Sequence, residues 1–567
     1  MQAKSLTLHA ALLASLAAMP AAHAVAQNAG QTTFQNNCAS CHSVDAKLTP
    51  LAGPGLHRVL GRKAASVPGY NYSAALTKAG AAGKTWTRAE LDVFLADPAK
   101  NVPGTTMPVG ISDKKARAAL IDYLASLQGP AVAAAAASAP AAKTALERRG
   151  SWDDSQPGRI WHLKASDLPP PFATSSAGNG PRVEARPNGS MPTVPKGFTV
   201  GVFAQDADKP RLLLRAPNGD IFLAATAKGE VKVLRAKNGE KADNVETFAS
   251  GLTRPYGMAF WPSNDNPQYL YVANVNSVVR IPYRNGDLKA RGEAEVIVPT
   301  LSETSGGHTT RTLAFSSDDK TLLLSIGSAT NVATEIGAKP PEPLAQWEAK
   351  HGFGGAWGVE TDRATVMAFD PDGKNRRTYA TGLRNCVGML VYPGTGDVMC
   401  NVNERDALGD NLPPDYLTRV KQGGFYGWPW YYIGDNEDPR LKGHRPDLKG
   451  KAIVPDVLIQ PHSAPLGMAV YQAPKNAANA FPKEYEGDVF VALHGSWNRG
   501  VRTGYKVVRV FMKNGVPTGQ YQDFMSGMVL SDRDVWGRPA GVAVAQDGAL
   551  LVVDDAGGVV WRIAPQR

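Results

Sequence analysis

Several features that are typical of common protein classes are missing from this sequence. Beyond the first residues there is no stretch of 18 or more uninterrupted apolar residues, so no membrane-spanning helix is predicted. The net charge of +10 comes from 61 Lys and Arg against 51 Asp and Glu. These charges form no run of five or six like residues, which argues against nucleic-acid binding and favours anionic ligands or acidic protein partners. No GxGxxG stands between a predicted strand and a helix, so a Rossmann site for a nicotinamide or flavin is not supported.

The first residues have the pattern of an export signal. Lys4 supplies a positive charge, a short apolar stretch follows, and residues 22–24 read AHA, a small-x-small cleavage site. We predict a signal peptide over residues 1–24, with cleavage after Ala24 or Ala26. The mature chain is therefore expected to be exported, with a periplasmic location.

Cysteine is scarce, with only four in 567 residues. Cys386 and Cys400 flank a predicted hairpin turn, VYPGTGDV, at unequal distances from its centre, so the sequence leaves open whether they pair in an oxidising compartment. The other two lie in NNCASCHS, where two cysteines three apart precede a histidine. Such a motif can hold a haem, a zinc ion or a redox disulfide.

The surroundings of CASCH favour haem. A zinc site needs about four ligands, and no further cysteine occurs before position 386. A thioredoxin-type dithiol is expected in a βαβ context, whereas the segments around this motif have helical periodicity. A c-type haem needs two thiols and the adjacent histidine. We therefore predict covalent haem c on Cys38 and Cys41, with His42 as an iron ligand.

The second axial ligand can be narrowed by counting. Between residues 43 and 130 there is one methionine, Met107 in VPGTTMPVG, and one histidine, His57 in GPGLHRVLGR. A thioether ligand raises the reduction potential and suits an electron carrier, so Met107 is predicted and His57 is the alternative. The whole of residues 27–129 resembles a class I cytochrome c, a small all-α domain, and the axial pair that this resemblance implies is His42 and Met107.

Composition and periodicity change twice after this domain. Residues 130–190 are rich in Ala and Pro, which predicts a linker that is ordered only where it lies on a neighbour. From residue 191 to residue 567 a unit of strand, turn, strand, loop and third strand recurs six times, as in PRLLLRAPNGDIFLAATAKGEVKVLR and RPAGVAVAQDGALLVVDDAGGVVWRI. Six such units predict an all-β six-bladed propeller. A β-sandwich would explain the strands but not the recurring register.

Motifs at the ends of the predicted blades resemble a known family of oxidoreductases. SGGHTTRTLAF, GLRNCVGM, NVNERDALGDNLPPDYL, GGFYGWP, HGSWNRGVRTGYKVVRV and GRPAGVAV are similar to segments of the glucose/sorbosone dehydrogenase family. This resemblance covers the chain from about Leu168 onwards and implies the cofactor pyrroloquinoline quinone (PQQ) together with calcium.

PQQ is a flat quinone with three carboxylates, and Arg is the side chain best suited to bind carboxylates by paired hydrogen bonds. The resemblance assigns Arg384 and Asn385 to cofactor binding. It also assigns Arg538, and either Arg499 or Lys506. Any one of these basic residues taken singly is more commonly a surface charge or part of a salt bridge.

The same resemblance places the catalytic base at His308, because an imidazole can accept a hydroxyl proton at neutral pH. The residue before the base, an Asp in soluble glucose dehydrogenase, is Gly307 here. The sequence therefore does not identify the group that orients His308. In this chain Arg311 also lies one position closer to the base than is usual in the family.

Calcium would polarise the quinone as a Lewis acid. The family loop that offers backbone carbonyls to this ion is replaced by NERD. We expect the ion near Glu404 and Arg405, with Asp410 as a carboxylate ligand or a residue of a second site.

These observations predict a periplasmic quinohaemoprotein dehydrogenase. Its substrate would be a sugar, a sorbosone-like sugar aldehyde or a small alcohol, and the electrons would pass to haem c on the same chain. An external acceptor such as another cytochrome, a cupredoxin or an oxidase would then reoxidise the haem. The alternatives are a calcium-dependent lactonase and a non-catalytic propeller that docks the cytochrome to a partner.

Overall fold

The structure is a computed structural model. It describes residues 30, 33–34, 37–38, 42–46, 48, 53–68, 70, 72–105, 107, 110–111, 113–127, 150–174, 176–205, 209–303, 307–333 and 336–566. The predicted signal peptide and the first part of the predicted linker lie outside these residues. The chain divides into two compact units, one helical and one built of β-sheets. No helix among the described residues is long and apolar enough to cross a membrane.

The helical unit contains four described helices. They are α1 (Ala74–Ala81), α2 (Arg88–Ala96), α3 (Pro98–Asn101) and α4 (Lys114–Ser126). Polar side chains cap their N-termini, as at Thr87, whose hydroxyl accepts a hydrogen bond from Glu90 N at 3.2 Å. The apolar faces of α2 and α4 pack together, with Leu91 and Leu120 buried between them. The predicted all-α fold of this region is confirmed.

The second unit is a six-bladed propeller, which confirms the predicted fold. Each blade is a sheet with four consecutive antiparallel strands, numbered here from blade 1 to blade 6. Blade 1 comprises Leu212–Arg215, Ile221–Ala225, Glu230–Arg235 and Asn244–Ala249. Blade 2 comprises Met258–Trp261, Tyr269–Ala273, Val278–Pro282 and Glu295–Val298. Blade 3 comprises Leu313–Phe315, Leu322–Ile326, Thr365–Phe369 and Arg377–Thr381.

Blades 4 and 5 have the same order, and blade 6 closes the ring. Blade 4 comprises Cys386–Val391, Val398–Val402, Asp415–Val420 and Val457–Ile459. Blade 5 comprises Pro465–Val470, Val489–Leu493, Lys506–Lys513 and Val516–Met525. Blade 6 comprises Pro539–Val544, Leu550–Asp554, Val559–Pro565 and Phe198–Ala204. The strand Phe198–Ala204 comes from the start of the propeller sequence. It pairs antiparallel with the final strand of the chain, with Val200 opposite Ile563.

Burial explains the sequence pattern of the blades. Both faces of each blade pack on neighbouring blades, so the second strands are mostly apolar on both faces rather than alternating, as in IFLAA of blade 1 and VFVAL of blade 5. Clusters of buried side chains fill the space between successive blades. Phe222 and Leu270, for example, lie between blades 1 and 2, and Leu223 and Leu551 lie between blades 6 and 1.

Shorter strands, one helix and several 3-10 turns are attached to the propeller. Part of the predicted linker lies on it, since Ile160–Trp161 adds a strand to blade 5. The other additions are Arg182–Val183 paired with Asp534–Val535, Gly424–Phe425 on blade 3, the hairpin Tyr431–Tyr432 with Asn436–Glu437, and helix α5 (Leu344–His351). Five 3-10 turns occur at Trp152–Asp154, Ala165–Asp167, Gly358–Glu360, Pro446–Leu448 and Lys483–Tyr485.

A disulfide joins the first two strands of blade 4. Cys386 and Cys400 are bonded, with their Cα atoms 5.8 Å apart. Both side chains are buried. The bond that the sequence left open is therefore present, and it lies directly after Arg384 and Asn385.

The first strand of each blade lies innermost, and the first strands of most neighbouring blades contact one another around the axis. In an antiparallel hairpin the start of the first strand and the end of the second lie at the same edge. Residues just before the first strands and just after the second strands of all blades therefore converge on one face of the propeller. This convergence positions the candidate site.

Candidate functional site

A cavity of about 320 Å³ opens at this face. Five of the predicted site residues line it: His308, Arg384, Asn385, Glu404 and Arg538. Arg384, Asn385 and Arg538 stand immediately before the first strand of a blade, His308 lies in the loop that leads into one, and Glu404 follows a second strand. Residues that are up to 230 positions apart in the sequence are thus brought together by equivalent places in the repeat.

His308 is held in one orientation by a serine. Its Nδ1 lies 3.0 Å from the carbonyl oxygen of Ser328 and 2.9 Å from the hydroxyl of the same residue. A carbonyl only accepts hydrogen bonds, so Nδ1 carries the hydrogen and Nε2 keeps its lone pair. Burial, followed by the charge of Arg384, holds the pKa of His308 well below its usual value. The imidazole is therefore neutral at pH 7 and can accept a proton at Nε2.

The close approach of a neighbouring backbone explains why a glycine precedes His308. Gly307 has φ +68°, and a Cβ atom there would lie 2.0 Å from the carbonyl oxygen of Ala329. The position cannot hold an Asp without moving the chain. The Ser328 side chain takes over orientation, and its hydroxyl in turn donates to the carbonyl of Thr330 at 2.7 Å.

Arg384 is buried and bonded to the protein itself. Its guanidinium donates to the backbone carbonyls of Asn331, Asn403 and Glu404 at 2.8–3.0 Å and to the Asn331 side chain at 2.7 Å. It therefore fixes the loops around the cavity and adds a positive charge to them. Burial lowers its pKa from the usual value.

Asn385 has a buried side-chain oxygen that is suited to bind a polar ligand. Its Oδ1 is buried and has no hydrogen-bond partner. Leaving such an oxygen unpaired costs about 1–3 kcal/mol. Thr310, which also lines the cavity, has a buried hydroxyl without a partner as well. Both groups are placed to bind a polar ligand.

The opposite side of the cavity contains residues that the sequence analysis missed. His494 Nε2 lies 2.9 Å from the carboxylate of Asp555, and Arg211 forms an ion pair with that carboxylate. Arg538 donates to the carbonyls of His494 and Gly495, both at 3.2 Å. Burial, together with the charge of Arg538, lowers the pKa of His494 to about 4. These residues could have been found by aligning the six repeats, because they occupy the same blade positions as the predicted ones.

A third part of the lining is acidic. Glu404 and Asp415 are buried beside each other, with Glu404 N donating to Asp415 at 2.9 Å. Burial raises the pKa of Glu404 to about 7 and that of Asp415 to about 6. His462 and Asp406 complete this part of the lining, and Nε2 of His462 lies 3.1 Å from the carbonyl of Gly409.

Two of the predicted cofactor ligands lie elsewhere. Lys506 is buried in blade 5, where it forms an ion pair with Asp523 at 2.7 Å and donates to Ser155 at 3.0 Å. Arg499 is also buried, and it donates to Asn411 at 2.8 Å and to the carbonyl of Gly150 at 3.3 Å. Neither side chain lines the cavity, so the structure does not bring them together with the other predicted cofactor ligands.

The predicted calcium ligands do not form one site. Arg405 is paired with Asp438, and Asp410 accepts a hydrogen bond from Gly500 N at 2.7 Å, so only Glu404 of the three faces the cavity. Among the residues that the structure describes, no group of three or more His, Cys, Asp or Glu side chains is arranged to hold a metal ion. The side chains of Arg405 and Asp410 are therefore not brought to the cavity with Glu404, and calcium near these residues stays a prediction.

The helical unit brings together most of its predicted haem ligands. Cys38 is buried in the hydrophobic cluster of this unit, and Met107 packs against the same cluster. His42 Nδ1 lies 2.8 Å from the carbonyl of Pro54, which fixes the ring and leaves Nε2 for a metal. The rival ligand His57 accepts a hydrogen bond from Arg62 through its backbone oxygen. Cys41 lies outside the described residues.

Two family models match the chain. The model described as TrAA12-like matches residues 192–414 and 447–566, which is more than half of the chain. The model described as Cytochrome c matches residues 27–128. This first region is 42% identical over 96 residues to "Cytochrome c type-1" of Ascaris suum, a match that covers 17% of this chain and 82% of that protein.

Two solved structures resemble the propeller. The holo form of the pyranose dehydrogenase PQQ domain from Coprinopsis cinerea superposes with a TM-score of 0.52 and 20% identity, covering 67% of this chain and 98% of that one. The calcium structure of the family AA12 enzyme of Trichoderma reesei gives a TM-score of 0.53 and 18% identity, covering 68% of this chain and 99% of that one. At these identities the likeness shows the shared fold. With the family models it leads to one conclusion: the chain belongs to the TrAA12-like family and carries a cytochrome c domain ahead of its propeller.

Proposed function

We propose that this chain is a periplasmic quinohaemoprotein dehydrogenase. It oxidises a sugar, a sugar aldehyde or a small alcohol with PQQ and calcium, and it passes the electrons to its own haem c. The observation that carries the proposal is the neutral, fixed imidazole of His308 in a cavity ringed by arginines, on a chain that also has a cytochrome c domain.

The cavity fits the cofactor. Arg384 and Arg538 line it and supply positive charge for the carboxylates of the cofactor, whereas the charge of Arg211 is matched by Asp555. The unpaired Oδ1 of Asn385 supplies a buried acceptor for a donor on the ligand. The PQQ named for the Coprinopsis cinerea domain, which shares the fold, supports the same cofactor here. When bound, PQQ supplies the acceptor for hydride.

The protein's own contribution to the chemistry is proton transfer and orientation. Nε2 of His308 takes the proton from the substrate hydroxyl as the carbon is oxidised. Ser328 holds the imidazole in the tautomer that this requires. Arg384 holds the surrounding loops, so the base and the cofactor-binding groups keep their places while the reaction proceeds.

Calcium is proposed to bind in the cavity together with the cofactor. Among the described residues no group of three or more His, Cys, Asp or Glu side chains is arranged to hold a metal ion, so calcium would need further oxygen donors here, and it would supply Lewis-acid polarisation of the quinone. Glu404 and Asp415 are the cavity carboxylates whose burial a cation would offset.

The cytochrome domain receives the electrons. Cys38 and Cys41 would carry the haem, with His42 and Met107 as axial ligands. An external acceptor, such as another cytochrome, a cupredoxin or an oxidase, then reoxidises the haem. Export to the periplasm follows the predicted signal peptide.

The test is reconstitution of the full-length haem-containing protein purified without PQQ. Aldoses, aldehydes and short alcohols are added one at a time, and haem reduction is followed by its absorbance. We expect substrate-driven reduction only when PQQ and calcium are both present. Hydrolysis of a lactone panel without any haem reduction would instead identify a hydrolase, and dithionite provides the control that the haem can be reduced.

A further inference from the structure

A buried arginine close to the predicted base has no acidic partner among the described residues. Arg311 is 0% exposed, and burial together with the charge of Arg363 lowers its pKa to about 9. The guanidinium therefore still carries its charge at pH 7. Burying a charge without a counter-charge disfavours folding. An anion bound in the folded protein would therefore stabilise this position.

The protein uses only one side of this guanidinium. Nη1 of Arg311 donates to the carbonyls of His308 and Thr310, both at 2.7 Å. Nε and Nη2 are buried and have no hydrogen-bond partner in the part of the chain that the structure describes. The N–H groups of Nε and Nη2 point the same way along one edge of the planar guanidinium, and this edge binds anions by two parallel hydrogen bonds. The donors of an anion site are therefore already in place.

The charges near His308 favour an anion over a water molecule at this edge. Besides burial, the charges of Arg384, Arg363 and Arg311 lower the pKa of His308. Acidic side chains act on the first two of these arginines, whereas none of the described ones acts on Arg311. A water molecule would accept the two hydrogen bonds, but only an anion would also balance the charge.

The backbone of Arg311 is fixed between inner strands of the propeller. Its carbonyl accepts a hydrogen bond from Gly257 N at 2.8 Å, and a Cβ atom on Gly257 would lie 2.4 Å from that oxygen. The hydroxyl of the next residue, Thr312, donates to the carbonyl of Val387 in blade 4. Because the guanidinium is enclosed, an ion must be small and must lose its water to reach it. This favours a monovalent ion such as chloride over sulfate or phosphate.

We propose that the Nε–Nη2 edge of Arg311 binds a small monovalent anion such as chloride, and that the bound ion holds the loop that carries His308. An ion that fixes the guanidinium also fixes the two carbonyls to which Nη1 donates, those of His308 and Thr310. Arg311 itself does not line the cavity, so it is a positioning residue. Ion binding is independent of the proposed dehydrogenase function, whereas the effect on the base rests on that function.

The first test measures anion binding to the full-length haem-containing protein lacking PQQ. Sodium chloride replaces sodium methanesulfonate at constant ionic strength, and calorimetry follows the unfolding temperature. We expect a saturable rise of about 2 °C at a chloride concentration ten times the Kd. Arg311→Gln should abolish the rise. Arg311→Lys keeps the charge without the paired N–H groups and should weaken chloride binding about tenfold.

The matched control is Arg509→Gln. Arg509 is also buried, at 5% exposure, but its Nε donates to the carboxylate of Asp488 at 2.5 Å. Its loss should lower the unfolding temperature and leave the response to chloride unchanged. A rise of wild-type size in Arg311→Gln, or no rise in the wild type, would refute the anion site.

Bromide can locate the ion, because its anomalous scattering distinguishes it from water. In wild-type crystals grown with sodium bromide, we expect an anomalous peak in contact with both Nε and Nη2 of Arg311. A water molecule at this edge would overturn the proposal. A bromide peak without any effect of chloride on the unfolding temperature would show an adventitious ion only, and would overturn it as well.

The role of the ion in holding the loop is tested by hydrogen exchange of peptides that contain residues 307–312, in protein lacking PQQ. At ten times the Kd, chloride should slow their exchange about tenfold in the wild type and leave it unchanged in Arg311→Gln. Unchanged exchange in the wild type would refute this role. If PQQ displaces bromide from the crystals, the edge belongs to the cofactor site and the proposal fails.

These tests separate the anion site from the dehydrogenase function. If no substrate reduces the haem, but chloride raises the unfolding temperature through Arg311, the dehydrogenase proposal fails and the anion site stands. If substrates reduce the haem and chloride has no effect on unfolding, the anion site is refuted and the dehydrogenase stands. Unfolding temperatures of all variants in methanesulfonate alone, compared with the haem spectrum, identify any loss that is due to misfolding.

Discussion

The two sides of the cavity hold their histidines by different means. His308 is bonded through Nδ1 to a backbone carbonyl and a serine hydroxyl, with Arg384 nearby. His494 is bonded through Nε2 to Asp555, whose charge is already matched by Arg211. Both imidazoles are neutral at pH 7, because burial lowers both pKa values. The difference teaches that a buried carboxylate is not needed to orient a base, and that a carboxylate already paired with arginine adds little basicity.

The largest expected effect tests which histidine moves the proton. His308→Ala should lower turnover by about 10²- to 10⁴-fold, because a general base is lost, while PQQ binding and dithionite reduction of the haem stay normal. His494→Ala, assayed at saturating PQQ, should lower turnover by less than about tenfold. Haem reduction kinetics in the two variants decide the assignment. The reverse ranking would give the role of base to the carboxylate-bound histidine.

The next largest effect is expected on the affinity for PQQ when an arginine on either side of the cavity is replaced. Arg538→Ala should weaken PQQ binding by about one to two decades, since one charge-assisted contact is typically worth about 1.5–3 kcal/mol. Arg384→Ala should weaken it at least as much and also lower the unfolding temperature, because this side chain bonds three backbone carbonyls. Titration of protein lacking PQQ measures both. Unchanged affinity in both variants would make these arginines purely structural.

A smaller effect is expected in the pH dependence of stability. The pKa of His494 is about 4 in the folded chain and 6.5 in the unfolded reference, so its contribution is fully present above pH 6.5 and is lost as the pH falls through 4. His494→Gln keeps a donor for Asp555 but does not titrate. Between pH 7 and pH 4 the variant should therefore lose about 3 kcal/mol less free energy of unfolding than the wild type. Parallel curves from urea unfolding would contradict the lowered pKa.

The smallest effect should come from Ser328. Ser328→Ala removes the hydroxyl at 2.9 Å from His308 but keeps the carbonyl at 3.0 Å. We expect turnover to fall by less than about tenfold, because the carbonyl still selects the tautomer. The pH profile of kcat should shift without any change in PQQ affinity. A loss as large as that of His308→Ala would show that the hydroxyl, rather than the carbonyl, orients the base.

The sequence predicted the blades because every repeat must bury strands on both faces, and that demand leaves a pattern in each unit. It predicted His308, Arg384, Asn385 and Arg538 from motifs at the blade ends, and these residues line the cavity. Ser328 could not be found, because its contact with His308 depends on which strand end reaches the same face. The burial of Lys506 beside Asp523 could not be predicted, because it arises from pairing between two neighbouring strands and leaves no local signal.

The closure of the ring determines when one wall of the cavity forms. Arg211 directly precedes the first strand of blade 1 and Asp555 directly follows the second strand of blade 6, so the ion pair between them joins residues 344 positions apart across the seam where the two ends of the propeller meet. One wall of the cavity therefore exists only after the strand Phe198–Ala204 has paired with the end of the chain. A nascent or truncated propeller has no complete cavity, so a ligand that needs this wall would bind only to a finished ring.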